Sequence, residues 1–441
     1  MTNDMTTGKI TPILIKFTIP LVLGNIFQLF YNAVDSIIVG KFVGKDALAA
    51  VGTCNPLVTL IILFISGLCM GAGVLMSMHY GAKDYERLSV QLSSTMLGGI
   101  VFSAVMTILC IAAAPVLLQL MKADKEIMGI ASSYLRIIFM GLIFTFVYNF
   151  FASVMRALGD SRSPLYFLVI SAILNIFGDL FFVMVLGWGS NGCAISTVIS
   201  EAVSCLLCGI YIKQNVPVLC LGKKWLLFDK NAFLQSIQYG WVSAMQQATV
   251  QLGKLAIQVM VNMMGVSAMA AFTAVNRIDD FAYTPQQNIG HAMTSFLAQN
   301  KGAGEKKRIR EGFRCGMKIE MIYGIMICLI CFFFAKPLML LFADDTEVVE
   351  LGVEYLHLIA LMYLLPAATN GIQGYFRGIG DLKVTLYSSF INMAVRVVAA
   401  LPFIFVLKLG MTALPYAYMC GWFAMLLAEV PLLVRKWKEK A

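Results

Sequence analysis

Charge is what this sequence has least of. Asp, Glu, Lys and Arg make up 13% of its 441 residues, against roughly 25% in soluble domains. Too few charges remain to coat a globular surface. With 59% hydrophobic residues, the composition also excludes a disordered chain, a collagen-like repeat and a disulfide scaffold. Histidine is scarce: His79, His291 and His357 lie far apart. No HExxH, GxSxG or P-loop pattern occurs, so no catalytic constellation supports an enzyme and no cofactor is expected. The net charge of +9 does not imply nucleic acid, because the basic residues lie in short gaps between apolar runs. Most of the 11 Cys fall inside those runs. Cys205 with Cys208 and Cys328 with Cys331 read as small packing residues rather than redox or metal pairs.

What is present is long apolar runs. A bilayer core needs about 20 apolar residues per helix. Such segments fall near 12–40, 47–80, 91–120, 127–155, 163–186, 191–212, 233–263, 267–299, 315–342, 348–376, 384–407 and 411–434. The expected fold class is therefore an all-α polytopic membrane protein with twelve transmembrane helices. No signal peptide is expected, since residues 1–11 are mostly polar and the first apolar run is too long. Of 33 Lys and Arg, the termini and the loops after even-numbered spans hold 21, and the loops after odd-numbered spans hold 5. Both termini should then face the cytoplasm. Lys301, Lys306, Lys307, Arg308 and Arg310 carry much of that bias, which plain topology explains better than a contact with anionic lipid.

The two halves repeat at an offset of 221 residues. Gly44, Ala47, Ala49, Ala50 and Asn55 match Gly265, Ala268, Ala270, Ala271 and Asn276. Arg156, Gly159 and Asp160 of RALGD match Arg377, Gly380 and Asp381 of RGIGD. Each half holds six spans, an even number, so the expected bundles share one orientation about a parallel pseudo-two-fold axis. The division is an N-terminal lobe 1–212, a cytoplasmic linker 213–232 containing Lys223 and Lys224, and a C-terminal lobe 233–441. The Arg and Asp of the two loop motifs are expected to cap helix ends or pair locally.

Polar residues at membrane depth ask for a partner or a role. The first span carries Gln28, Tyr31, Asn32 and Asp35 on one face, and Pro20 should bend it. The fifth span carries Ser171, Asn175 and Asp179; the sixth carries Cys193, Ser196 and Thr197. If Asp35 and Asp179 approach, they share a proton or hold a small cation, with Asn175 and Thr197 as neutral oxygen ligands. That is a Na⁺ or H⁺ site. The alternative is two structural carboxylates satisfied by nearby Asn or Tyr. The second half differs: Arg396 stands where the repeat places Asn175, and Ala400 where it places Asp179. Gln251 and Lys254 share a face of the seventh span, and Asp280 and Tyr283 share one in the eighth. Lys254 or Arg396 is expected to pair with Asp279 or Asp280. These residues, with Gln28, Tyr31 and Asn32, are the cavity and substrate candidates.

With these features in hand, the chain resembles the multidrug and toxic compound extrusion (MATE) family, bacterial DinF-like type. The resemblance rests on Pro20 and Asp35, GKDALAAVG, RALGD, Asn175-x3-Asp179 and the FLAQNKGAG segment at 296–304. It implies two bundles in the inner membrane of a bacterium or archaeon. Alternating access would export cationic or amphipathic small molecules in exchange for Na⁺ or H⁺. It implies a first-lobe cation site at Asp35, Asn175, Asp179 and Thr197, joined by the Cys193 carbonyl, and a switching hinge at Pro20. Lys254 stands near where some members carry a seventh-span acid, which points to first-lobe coupling. The partners so implied are small-molecule substrates and the bilayer, for a chain working as a monomer. The rival reading is a flippase for a lipid-linked oligosaccharide, kept alive by Lys254 and Arg396.

Overall fold

The computed structural model describes residues 4–121, 124–219 and 227–438. The described residues are helical almost throughout, joined by short turns. Lys223 and Lys224, expected in the linker, lie outside the described residues. Among the described residues fifteen α-helices follow one another: α1 Ile10–Ile38, α2 Lys45–Gly81, α3 Tyr85–Leu120, α4 Met128–Met140, α5 Leu142–Ala157, α6 Arg162–Leu180, α7 Gly189–Asn215, α8 Lys230–Asn262, α9 Val266–Gly302, α10 Lys306–Phe333, α11 Ala335–Leu340, α12 Thr346–Ala360, α13 Leu364–Gly378, α14 Leu382–Phe405 and α15 Ala413–Lys438.

Among the described residues eight helices are long and apolar enough to cross a bilayer, and two bent pairs raise the number to ten. The pairs are α4 with α5, bent by 45°, and α12 with α13, bent by 51°. Gly141 separates the first pair, and a Cβ there would sit 2.8 Å from Val198 Cγ2. In the second pair Pro366 stands in the first turn of α13, where its missing N–H is tolerated but its ring ends any continuous helix arriving from α12. The remaining spans of the twelve-helix layout are α8 and α9, 33 and 37 residues long. They fall short on apolarity because Gln246, Gln247, Gln251 and Lys254 interrupt one, and Arg277, Asp279 and Asp280 the other. Their polar positions are where a lipid-facing reading fails and an interior role begins.

The repeat is written in the backbone. Five pairs of residues 221 positions apart adopt positive φ: Gly44 with Gly265, Lys83 with Gly304, Gly159 with Gly380, Gly187 with Lys408, and Gly189 with Gly410. Lys83 and Lys408 hold the left-handed conformation, at φ 58° and 51°, where their repeat mates are glycine. Turn geometry has been kept even where the residue suited to it has not. Helix starts agree as well, at Lys45 and Val266 and at Tyr85 and Lys306.

The chain packs as two compact units. One comprises Met1–Asp4 with Ile19–Ala244, and the other Met5–Thr18 with Met245–Ala441. In the first unit, α2 and the start of α8 approach closely. A Cβ on Gly71 would lie 2.3 Å from the Tyr239 carbonyl oxygen, and one on Gly67 2.6 Å from Ala244 Cα. Small residues spaced by four let helices touch where lipid supplies no hydrophobic drive for association. The aromatic side chains of Phe139 and Phe150 fill its interior. In the second unit, Met5 N–H donates to Gln299 Oε1 at 3.0 Å, and Arg308 Nη1 donates to the Gly8 carbonyl at 2.9 Å. Large apolar side chains such as Ile108, Leu120, Phe177, Ile322 and Leu427 point outward, as a lipid-facing surface requires.

The aspartates of the two loop motifs make different contacts. Asp160 Oδ1 accepts from Arg162 N–H and Ser163 N–H, each at 3.0 Å, and so caps α6. Asp381 instead pairs with Lys436 at 3.5 Å.

Candidate functional site

The first unit gathers the residues singled out from sequence. α1 carries Asp35 close to its end and then loosens into a π-helical turn, Val39–Val43. α6 carries Asp179 next to its end and passes into a second π turn, Phe181–Val185. Such turns recur at functional sites because they re-aim side chains without ending a helix. α7 starts at Gly189 and presents Cys193 and Thr197 one turn apart. Contact of α6 with α7 depends on Gly178, whose Cβ would fall 2.4 Å from Ser196 Oγ; that hydroxyl donates to the Asn175 carbonyl at 2.8 Å.

The ligand atoms of Asp35, Asp179 and Cys193 lie within 4.8 Å of one another. Asp179 is fully buried, Asn175 is buried, and Asp35 and Thr197 are half-buried. Asn175 Nδ2 donates to Asp179 Oδ1 at 3.4 Å and to Thr197 Oγ1 at 3.2 Å. Thr197 Oγ1 donates to the Cys193 carbonyl at 3.0 Å. Cys193 therefore presents its thiol to the carboxylates while its carbonyl is engaged by Thr197. Three acceptor oxygens are left buried with no hydrogen-bond donor: Asp35 Oδ1, Asn175 Oδ1 and Asp179 Oδ2. A buried polar atom without a partner costs about 1–3 kcal/mol. Convergent acceptors of this kind suit a proton or a hard cation and no anion.

Of the other α1 candidates, Tyr31 is half-buried and Gln28 and Asn32 are exposed. In the second unit, Arg396 is buried, with its guanidinium 4.0 Å from the centroid of Tyr418 and 5.1 Å from that of Trp422. Lys254 is exposed; Gln251, Asp280 and Tyr283 are half-buried. The pairing expected between these bases and acids is not what the structure holds. Among the described residues the ion pairs are Arg87–Asp84, Lys307–Glu311 and Lys436–Asp381. Asp279 takes the hydroxyl of Tyr363 instead, and Arg396 lies on aromatic faces, an arrangement that holds a cation without a counter-charge.

Besides Glu350 and Glu354, which are exposed on α12, three acids within the spans escaped the sequence reading. Glu201 follows Cys193 and Thr197 at the same four-residue spacing on α7, and its Oε2 accepts the Thr145 hydroxyl. Glu320 on α10 and Glu429 on α15 are fully buried, and neither carboxylate has a hydrogen-bond partner. All three interrupt apolar spans, so an inventory of acids within spans, matching the one made for bases, would have found them. Arg377, the Arg of the second loop motif, lies in the last turn of α13. It is buried, and its Nη2 donates to Gln373 Oε1 at 2.7 Å.

Comparison with known proteins gives the family and the fold. The MatE family model matches the chain at residues 20–181 and again at 243–401, once in each half. The chain is 28% identical over 434 residues to the probable multidrug resistance protein YoeA of Bacillus subtilis, covering 96% of this chain and 93% of that one. A solved MOP superfamily transporter from Pyrococcus furiosus superimposes with a TM-score of 0.89 at 21% identity, over 98% of this chain and 97% of that one. A crystal structure of MATE in the bent conformation gives 0.91 at 21% identity, over 98% and 96%. At such identity these two structures speak for the fold alone.

Proposed function

The chain belongs to the MatE family of membrane transporters and so moves a solute rather than transforming it; from that premise we propose that it is a secondary antiporter. It exports cationic or amphipathic small molecules in exchange for Na⁺ or H⁺. The observation that carries this reading is the trio of donorless oxygens on Asp35, Asn175 and Asp179. The name of the Bacillus subtilis relative, a probable multidrug resistance protein, supports export of drug-like compounds.

In this mechanism the coupling ion is itself a transported species. It enters among Asp35, Asn175, Asp179 and Thr197 and offsets the carboxylate charge. It drives the cycle only through a difference in affinity between two arrangements of the lobe. Pro20 is the hinge: it lies beside the Thr18–Ile19 boundary, where α1 passes from one packing unit to the other. The functional lobes are 1–212 and 233–441, both termini are cytoplasmic, and one chain suffices. The neutral oxygens of Asn175 and Thr197 favour Na⁺ as the ion.

The test is reconstitution in liposomes with ethidium as the probe, under a Na⁺ gradient alone and a pH gradient alone. Accumulation with one gradient supports antiport and names the ion. No accumulation with either removes a cationic drug-like compound as the cargo.

A further inference from the structure

A second concave site lies in the second unit, where α9 and α13 end, α10 begins and α15 ends. Lys301, Lys306, Arg310, Lys436, Tyr375 and Trp437 line a cavity of about 170 Å³. That is well below the roughly 300–1,000 Å³ of drug and cofactor pockets, and it suits one small head group. Several of its donors are already oriented. Arg310 Nη2 points to the Trp437 carbonyl at 3.4 Å, and Lys436 is placed by Asp381, a carboxylate 3.5 Å away. The Trp437 Nε1–H is buried and meets no acceptor in hydrogen-bond geometry. Four cations and an unanswered N–H line this one small cavity. Lys301 Nζ already donates to the Ile379 carbonyl and Lys436 faces Asp381, so Lys306, Arg310 and the N–H are the groups that ask for an anion with several acceptor oxygens.

Topology alone would place Lys and Arg at this end of the bundle, but the repeat supplies an internal comparison. The positions 221 residues earlier than Lys301, Lys306, Arg310 and Lys436 are Tyr80, Tyr85, Ser89 and Asn215, all neutral, and Trp437 corresponds to Val216. The two halves share their fold and their turn geometry. The fold therefore does not require charge here, and a topological signal would not converge on one cavity.

We infer that this cavity binds a phosphate group, carried by the head group of an anionic membrane lipid or by free phosphate. Basic pockets between helices at the membrane surface are the kind that recognise such groups. The site is separate from the carboxylate cluster, and it stands whether or not that cluster couples transport.

The test is thermal unfolding of the purified full-length protein in detergent, at ionic strength held constant with sodium chloride. The probes are inorganic phosphate, short-chain phosphatidylglycerol and a short-chain diacylglycerol without phosphate. Either phosphate-bearing probe should raise the midpoint by about 2–4 °C, and the diacylglycerol should not. A shift with the lipid only assigns the site to a head group; a shift with inorganic phosphate assigns it to the free ion. Lys306→Tyr with Arg310→Ser, the residues of the first repeat, should abolish the shift. Should that pair not fold, Lys306→Gln alters one exposed side chain and should halve the shift at least. No shift with either phosphate probe, or a shift retained in the variants, overturns the inference.

Discussion

The Asn175 amide nitrogen lies 3.2 Å from Thr197 Oγ1, and this contact joins α6 to α7 beside the two carboxylates. The same nitrogen also serves Asp179, so the Asn175 oxygen is left facing no donor, as is one oxygen on each of Asp35 and Asp179. The amide and hydroxyl act as a frame: they consume the available donors and leave acceptors behind. Removing the frame should loosen the ion without removing its charge partners. Thr197→Ala is expected to raise the Na⁺ concentration for half-maximal transport by about fivefold, the worth of the neutral hydrogen bond from Asn175 that frames the site. Titrating Na⁺ in proteoliposomes checks this, and an unchanged midpoint removes Thr197 from the site.

Glu201 extends the polar face of α7 one turn beyond Thr197, with one oxygen held by Thr145. It is not one of the clustered ligand groups Asp35, Asp179 and Cys193, and in the proposed mechanism it is the carboxylate that meets the cationic substrate. Glu201→Gln should raise the KM for ethidium about tenfold and leave the Na⁺ midpoint unmoved. A shift of the Na⁺ midpoint in place of KM would put Glu201 in the ion site.

Pro20 leaves the Lys16 carbonyl without its helical donor, because proline has no N–H. Pro20→Ala restores that bond and stiffens α1 at its unit boundary. Transport rate should fall while the Na⁺ midpoint stays in place. An unaltered rate would remove the hinge from the mechanism.

Close helix contact gives a stability test free of transport. A Cβ on Gly71 meets backbone atoms of Tyr239 that cannot step aside, whereas one on Gly52 meets nothing within 4 Å. Gly71→Ala should lower stability by about 1–3 kcal/mol, and Gly52→Ala should be neutral or raise it by up to about 1 kcal/mol. Thermal midpoints in detergent separate the two. Equal effects would mean that α2 does not pack here.

The fold was legible because span length and the 221-residue repeat are one-dimensional signals. Asp35, Asn175, Asp179 and Thr197 were legible because regular spacing put each on a helix face, and a buried acid is conspicuous in an apolar run. Partnership was not legible. Arg396 was expected to seek an acid and lies instead on Tyr418 and Trp422, rings brought to it by α15. The bends between α4 and α5 and between α12 and α13 were missed because hydropathy runs unbroken through them. The phosphate cavity was invisible for a related reason. Lys301 and Lys436 are 135 positions apart, and only packing shows that they face one space.

The central claim is that Asp35 and Asp179 couple the ion to the substrate. The direct measurement is ethidium accumulation against downhill ethidium flux, in the same proteoliposomes, for the unaltered protein, Asp35→Asn and Asp179→Asn. The expected result is loss of gradient-driven accumulation in both variants while downhill flux persists. Accumulation at the unaltered level in both would contradict the claim and return the two carboxylates to a structural role.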